Sequence, residues 1–213
     1  MWYNFGYYPG VPVAMAKQTT KESTKTQLLD AGIEIMIEKG YNNTGIMEVL
    51  QSTGVPKGSF YYYFDSKEDF GLQIINHFDS FYQKKLHESL GDTTKTPIER
   101  LMAYCDSTTQ SLQQNACRKG CLIGNLSQEM ADQSEVFRQR LQEIMIEWRK
   151  QFADCIKQGQ DAGEITAEFD AVSLAEYFQS GWSGAVMRAK TMKSTEPLST
   201  YTKIFFSTVL NRK

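Results

Sequence analysis

Apolar residues recur every three or four positions along most of this chain, and that spacing restricts what it can fold into. Between Ser134 and Asp161, Phe137, Leu141, Ile144, Met145, Trp148 and Phe152 return to one face at the helical period, and Gly163 supplies a stop. No convincing stretch alternates apolar and polar residues at the period of two that a half-buried strand needs. Nor does an Asn-Gly or Asp-Gly pair join two apolar runs as a hairpin turn. The expectation is an all-α fold.

The same reading places the other helices. The first runs from about Lys25 to Lys39, with Leu28, Leu29, Gly32, Ile35 and Met36 at helical spacing and Gly40 as its stop. A short helix follows with Thr44 as its N-cap and Ile46, Val49 and Leu50 inward, and the turn at Ser52, Thr53 and Gly54 ends it. Pro56 fits the first turn of a third helix because its missing N–H has no partner there, and Phe60 and Phe64 share one side. Ser66 caps a long helix through about Leu90, with Phe70, Ile74, Phe78, Phe81 and Tyr82 as its inner stripe. Thr96 and Pro97 open a helix to about Gln114, and a short one runs from about Cys121 to Met130. Beyond the long 134–161 helix, two more span about Asp170 to Lys193 and Leu198 to Asn211, separated near Pro197.

Composition narrows the function classes. With 41% hydrophobic and 23% charged residues the chain is ordinary for a soluble globular protein. Its apolar runs fall far short of the roughly 20 residues that span a bilayer, so no membrane partner is expected. The opening MWYNFGYYPGVPVAM lacks a basic segment and a continuous apolar core, so it does not read as a signal peptide. Residues 1–19 are expected to be a flexible leader, with an early start before Met15 or an aromatic arm as the other readings. A chain without a secretion signal is expected in a reducing cytoplasm, where its four cysteines do not form a disulfide framework. The net charge of −2 neither announces nor excludes nucleic acid, and residues 17–70 carry fewer lysines than carboxylates. DNA binding must therefore rest on where charges sit.

Two short helices joined by a tight turn, after a longer one, make a helix-turn-helix whose last helix enters the major groove. The segment GVPKGSFYYYFDSKEDF is more specific. Because successive helical positions turn by about 100°, Tyr61, Tyr62 and Tyr63 cannot all face a core. With Phe60 and Phe64 anchoring the helix, Tyr61 and Tyr62 can reach base edges or sugars and Tyr63 a phosphate. Lys57 can reach a guanine edge or a phosphate, and Gly58 lets the backbone come close. Ser59 and Thr44 can donate to phosphates, and Lys67 sits in a first turn that favours an anion. This segment resembles the DNA-binding domain of the TetR family of bacterial repressors over residues 25–72: a glycine and small residue, a Gly-Ser pair, Tyr-x-x-Phe, then Ser-Lys-Glu. The resemblance implies a homodimer on double-stranded palindromic operator DNA, residues 20–70 as the DNA-binding domain and 71–213 as a helical ligand-binding and dimerisation domain.

From residue 70 onward no metal-ligand spacing, phosphate loop or nucleophile elbow occurs, so no cofactor, metal or enzymatic activity is expected. His77 and His87, ten residues and so about 15 Å apart along one helix, are not expected to share a metal site. Gly181, Trp182, Gly184, Ala185 and Ala189, then Tyr201, Phe205 and Thr208, combine small residues that allow close helix approach with aromatic area. The resemblance makes Gly181, Trp182, Ala185, Ala189, Tyr201 and Phe205 the dimer interface. Dimerisation matters because two recognition helices must meet major grooves about 34 Å apart, and a ligand that changes this spacing weakens binding.

In NACRKGCLIGNLSQEMAD, Gly120 breaks the helix and leaves Cys121 at the start of the next one. A helix N-terminus together with Arg118 and Lys119 favours the thiolate, so Cys121 reads either as a reactive thiol or as a small buried hydrophobe. GCLIGNLSQEMAD and RAKTMKSTEPL resemble a subgroup of the family that includes the N-ethylmaleimide reductase repressor and acrylate-responsive regulators. That resemblance implies sensing of electrophiles, oxidants or small unsaturated acids at Cys121, with Lys190 near the thiol. Cys117 is at most a resolving partner, and Cys105 and Cys155 sit at core spacing. The other class open to the chain is a helical small-molecule-binding protein of this fold that no longer reads DNA.

Overall fold

The computed structural model describes residues 21–210, and the leader expected over 1–19 lies outside them. Among the described residues the regular elements are all helical: α1 (Lys21–Lys39), α2 (Ile46–Thr53), α3 (Lys57–Tyr63), α4 (Lys67–Leu90), α5 (Pro97–Gln114), α6 (Leu122–Met130), α7 (Glu135–Asp161), α8 (Ala171–Met192) and α9 (Glu196–Ile204). The chain winds on from α9 into a π-helical turn over Phe205–Val209, where the N–H of Leu210 donates to Phe205 O five residues back at 3.0 Å. None of these helices is long and apolar enough to cross a membrane.

Most boundaries lie where the capping chemistry puts them. Ser66 Oγ accepts from the Asp69 N–H at 3.0 Å at the start of α4. Thr96 and Glu99 form a reciprocal capping box, with Pro97 in the first turn of α5. Asp170 caps α8 by accepting from the Ser173 N–H at 2.9 Å. Two expected caps shift by one residue. Gly45, not Thr44, holds the N-cap position of α2, and Pro56 precedes α3 as its N-cap instead of entering its first turn. Thr44 is instead buried, its hydroxyl donating to Gly40 O at 2.6 Å.

Two compact units hold these elements. The first comprises residues 21–80 and 122–141. Its interior is built from Leu28, Ile33 and Met36 of α1, Val49 of α2, Phe60 of α3, and Phe70 and Ile74 of α4, all almost fully buried. Ile35, expected inside, is half-buried, because the α1 stripe turns on Ile33 and Ile37. The rings of Phe60, Phe64 and Phe70 meet edgewise or tilted at centroid distances of 5.0, 5.1 and 4.7 Å and fasten α3 to α4.

The second unit comprises residues 81–121 and 142–210. Its core is aromatic: Tyr104, Phe152, Phe178, Trp182 and Phe205 are all buried. The phenol of Tyr201 packs against α8 and donates to Phe178 O at 2.9 Å. Buried Arg100 is neutralised in hydrogen-bond terms by Lys95 O, Leu90 O and Gln158 Oε1 at 3.0, 3.1 and 2.8 Å. Phe81, expected on the inner stripe of α4, is 48% exposed, a consequence of the stripe following Phe78 and Tyr82 around the helix.

Candidate nucleic-acid interface and sensor segment

Helix α3 is short, and its stability comes from its neighbours rather than from its own length. Phe60 and Phe64 are sunk to 0% and 1% exposure, which turns the other side of α3 outward. Tyr61 and Tyr62 are 57% and 64% exposed there. Lys57 and Gly58 are exposed, and Ser59 is half-buried. A Cβ on Gly58 would meet no atom of the chain within 4 Å, so the fold itself does not need a glycine at this place. Tyr63 is half-buried with its ring edge-on to Tyr62 at 5.1 Å.

Two expected DNA contacts have other engagements. The buried hydroxyl of Thr44 donates inside the α1–α2 turn, which removes it as a phosphate donor in this conformation. Lys67 leans back over the Tyr41 ring, 4.7 Å from its centroid, and donates to Asn42 O at 3.2 Å. Burial lowers the Lys67 pKa, opposed by the nearby Glu129 carboxylate.

Glu129 lies inside GCLIGNLSQEMAD, but neither spacing nor motif singled it out. This side chain on α6 accepts from the Tyr41 and Asn42 N–H groups, one with each oxygen, both at 2.8 Å. Successive backbone amides form a small anion-binding concavity, and here a carboxylate fills it. Gly40 must be glycine for this: its φ is +82°, and a Cβ there would stand 2.4 Å from Glu129 Oε2. The carbonyls ending α1 are also taken: Met36 O by the Gly40 N–H, Ile37 O by Asn125 Nδ2 at 3.1 Å and Lys39 O by Asn43 Nδ2 at 3.1 Å. The turn that leads from α1 into the helix-turn-helix is thus held by α6. No local signal could have revealed it, since the partners are 87 and 88 residues apart. His77, also in this unit, bonds Asp30 Oδ1 at 2.8 Å.

The sensor segment begins where α5 stops. The Ala116 N–H donates to Gln113 O at 3.0 Å and the Cys117 N–H to Leu112 O at 2.7 Å, the paired bonds of a Schellman stop. Ala116 takes the left-handed position at φ 49°, where glycine is usual, and Cys117 follows at φ 52°. Cys117 is 3% exposed, as is usual for the residue that closes this motif against the helix it ends. Its place in the helix stop accounts for it. Cys121 immediately precedes α6 and is half-buried, whereas Cys105 and Cys155 are buried. Burial pushes the Cys105 thiol well above its ordinary range and the Cys155 thiol up to about 11.

The second unit also holds polar groups that the motif reading missed. The Tyr82 and Tyr104 hydroxyls are hydrogen-bonded to each other. Lys85 Nζ donates to Thr108 Oγ1 at 3.5 Å. Burial raises the pKa values of both phenols, and the charges of neighbouring thiols add to it. The Trp148 ring stacks on Tyr82 at a centroid distance of 3.9 Å. Lys190 is half-buried in the same unit, on α8.

Of the residues expected at a dimer interface, four are buried within the chain. Ala189 and Phe205 are 0% and 1% exposed, and Trp182 and Ala185 are also buried. A Cβ on Gly181 would stand 2.4 Å from the Tyr201 ring, so this glycine serves the packing of α9 on α8 within the chain. A Cβ on Gly184, by contrast, would meet nothing within 4 Å. The outward face of α8 carries Val172, Tyr177 and Met187 at 53%, 56% and 60% exposure, and α9 adds Ile204 at 53%.

Comparison with known proteins accords with this geometry. Residues 28–74 match the profile described as bacterial regulatory proteins of the tetR family, and residues 97–205 the tetracyclin repressor-like C-terminal domain. The transcriptional regulator AcuR of Cereibacter sphaeroides is 38% identical over 178 residues, covering 84% of this chain and 81% of that protein. The transcriptional repressor DhaR of a Mycobacterium species is 34% identical over 186 residues, covering 87% and 92%. The crystal structure of reduced NemR from E. coli superposes with a TM-score of 0.79 at 29% identity, covering 84% of this chain and 93% of that one. The named relatives are transcriptional regulators rather than enzymes. The chain belongs to the TetR family of DNA-binding transcriptional regulators.

Proposed function

We propose that this regulator is a cytoplasmic homodimeric repressor that binds a palindromic operator through residues 57–67 and is released by a small molecule, electrophile or oxidant acting at Cys121. The observation that carries the DNA-reading part is the division of α3: Phe60 and Phe64 are locked inside while Tyr61 and Tyr62 stand outward beside the exposed Lys57 and Gly58. Ser59, Tyr63 and Lys67 complete the proposed contact set, Lys67 by swinging from the Tyr41 ring toward a phosphate. The chain's own upstream promoter DNA, titrated at low salt against a scrambled duplex, tests this. A shift with no preference for the promoter would remove the operator reading.

Dimerisation is proposed through the outward face of α8, where Ser173, Tyr177, Ser180, Gly184 and Met187 fall on one helical stripe, with Ile204 of α9 beside it. A Cβ on Gly184 would meet nothing within 4 Å, so the stripe offers a place for a second helix to approach closely. Release is proposed at Cys121, the one half-buried thiol beside three buried ones, with Lys190 contributing a nearby cation. Cys121→Ser, assayed for operator release by an electrophile and separately by an unreactive small acid, tests that part. Normal release of the variant by the electrophile would make Cys121 structural.

A further inference from the structure

Three polar groups of Asn42 are each taken by a different distant residue. Its N–H donates to Glu129 Oε1 at 2.8 Å, its side-chain amide donates to Gln133 Oε1 at 3.0 Å, and its carbonyl accepts from Lys67 Nζ at 3.2 Å, across 87, 91 and 25 residues. Gln133 is itself tied to the end of α6, its amide donating to Glu129 O at 2.7 Å. Asn42 is exposed, so water could satisfy all of these groups and burial does not demand the arrangement. The Tyr41 ring under the Lys67 ammonium is also fixed: it meets Phe137 edgewise at 4.9 Å, and a Cβ on Gly71 of α4 would stand 2.7 Å from it. Lys67 thus rests on a held carbonyl and a held ring. An ammonium carries three N–H donors, and among the described residues only one of them is spent on an acceptor, Asn42 O.

We propose that Asn42 is the positioning residue for a contact between Lys67 and a DNA phosphate. With its N–H held by Glu129 and its side chain by Gln133, its carbonyl is the pivot on which the ammonium turns off the Tyr41 ring and onto a phosphate oxygen. The role rests on Lys67 being a phosphate contact. Leaving the ring does not require leaving Asn42 O, because separate N–H groups serve the carbonyl and the phosphate. A lysine that moves freely in water loses much of its side-chain freedom when it meets a phosphate, whereas one tied to a fixed carbonyl has lost that freedom on folding. The tie therefore shows in DNA affinity, and only while the Lys67 ammonium is there to use it.

The test is a double-mutant cycle on the full-length protein, read by fluorescence-anisotropy titration over a range of salt. The probe is the chain's own upstream promoter duplex, or the scrambled duplex if the promoter shows no preference, since phosphate contacts carry no sequence information. Lys67→Met keeps an apolar stem on the Tyr41 ring and removes the charge. It is expected to weaken binding by about tenfold and to flatten the slope of log K against log salt by about one. Asn42→Ala cuts the tie to Gln133 and is expected to weaken binding by about threefold in the wild-type background and by almost nothing in the Lys67→Met background. Gln133→Ala cuts the same tie at another exposed residue and carries the test if the Asn42 variant does not fold. Equal losses in both backgrounds make Asn42 a structural residue of the turn, and these, or no loss in either, overturn the proposal while leaving Lys67 on a phosphate. A Lys67→Met variant with unchanged affinity and salt slope overturns the phosphate reading of Lys67 itself, and the role of Asn42 with it.

Discussion

Replacing Glu129 by alanine measures how far the grip of α6 on the α1–α2 turn supports DNA reading. The carboxylate accepts two backbone N–H groups at 2.8 Å, and a hydrogen bond to a charged group contributes about 1.5–3 kcal/mol. Glu129 is half-buried and both bonds share one side chain, so water would recover part of the loss and about 2 kcal/mol is the expected net cost. For a chain of this size that corresponds to a fall in Tm of about 4–8 °C. Because the turn feeds directly into α2 and α3, freeing it raises the entropy that operator binding must remove, and affinity for specific DNA is expected to fall by about tenfold. Glu129→Gln keeps one acceptor oxygen and should fall between. Thermal melting and fluorescence-anisotropy titration with operator DNA provide the measurement, with Gln128→Ala on the same helix as the exposed control. An alanine variant that melts within about 1 °C of wild type and binds operator with unchanged affinity would refute the argument. Gly40→Ala should reproduce the defect from the other side, since its Cβ would collide with the same carboxylate.

Lys57→Ala should weaken binding to all duplexes alike and flatten the slope of log K against log salt by about one if Lys57 meets a phosphate; loss of preference at one base pair instead would assign it to a guanine edge. At pH 7.5, limited alkylation followed by peptide mapping should label Cys121 well before Cys105 and Cys155, whose thiols burial raises, the latter to about 11; early labelling of either buried thiol would contradict the packing. Met187→Glu, on the outward stripe of α8, should convert dimer to folded monomer in sedimentation equilibrium, whereas Ala189→Glu, at 0% exposure, should unfold the protomer. Hydrogen bonds from Thr94 and Lys95 hold Asp92 down to about 2, and Arg138 with Gln139 does the same for Glu135. Both lie below the ordinary carboxylate value of about 4, so their contribution is in place above about pH 4 and is lost as the pH falls toward 2. Carboxyl-carbon NMR titration should find both midpoints near 2; midpoints near the ordinary value would refute the pairing.

Much of the fold was legible before any coordinates. Helical periodicity located α4, α5 and α7 because long amphipathic stripes carry redundant information, and Thr96-Pro97, Ser66 and Asp170 marked starts that depend only on local hydrogen bonding. The orientation of α3 was legible for a similar reason. A seven-residue helix with three consecutive tyrosines between two phenylalanines leaves few ways to orient its faces. Thr44 was misread because a threonine and a glycine stand side by side before α2, and only the closure of the turn on Gly40 O decides which of them caps.

The chain by itself determined its helices, their stops and which side of α3 faces out, because these follow from period, caps and the size of neighbouring side chains. Tertiary structure alone decided which groups meet across long separations. It put the Glu129 carboxylate on the amides of a turn 87 and 88 residues earlier and Tyr82 against Tyr104. It also set Gly181 of α8 against Tyr201 of the chain's own α9 and left Tyr177 and Met187 outside. The physical reason is common to all three. A single amphipathic helix specifies that a face will be buried but not which partner buries it, and that choice is made by packing many faces at once.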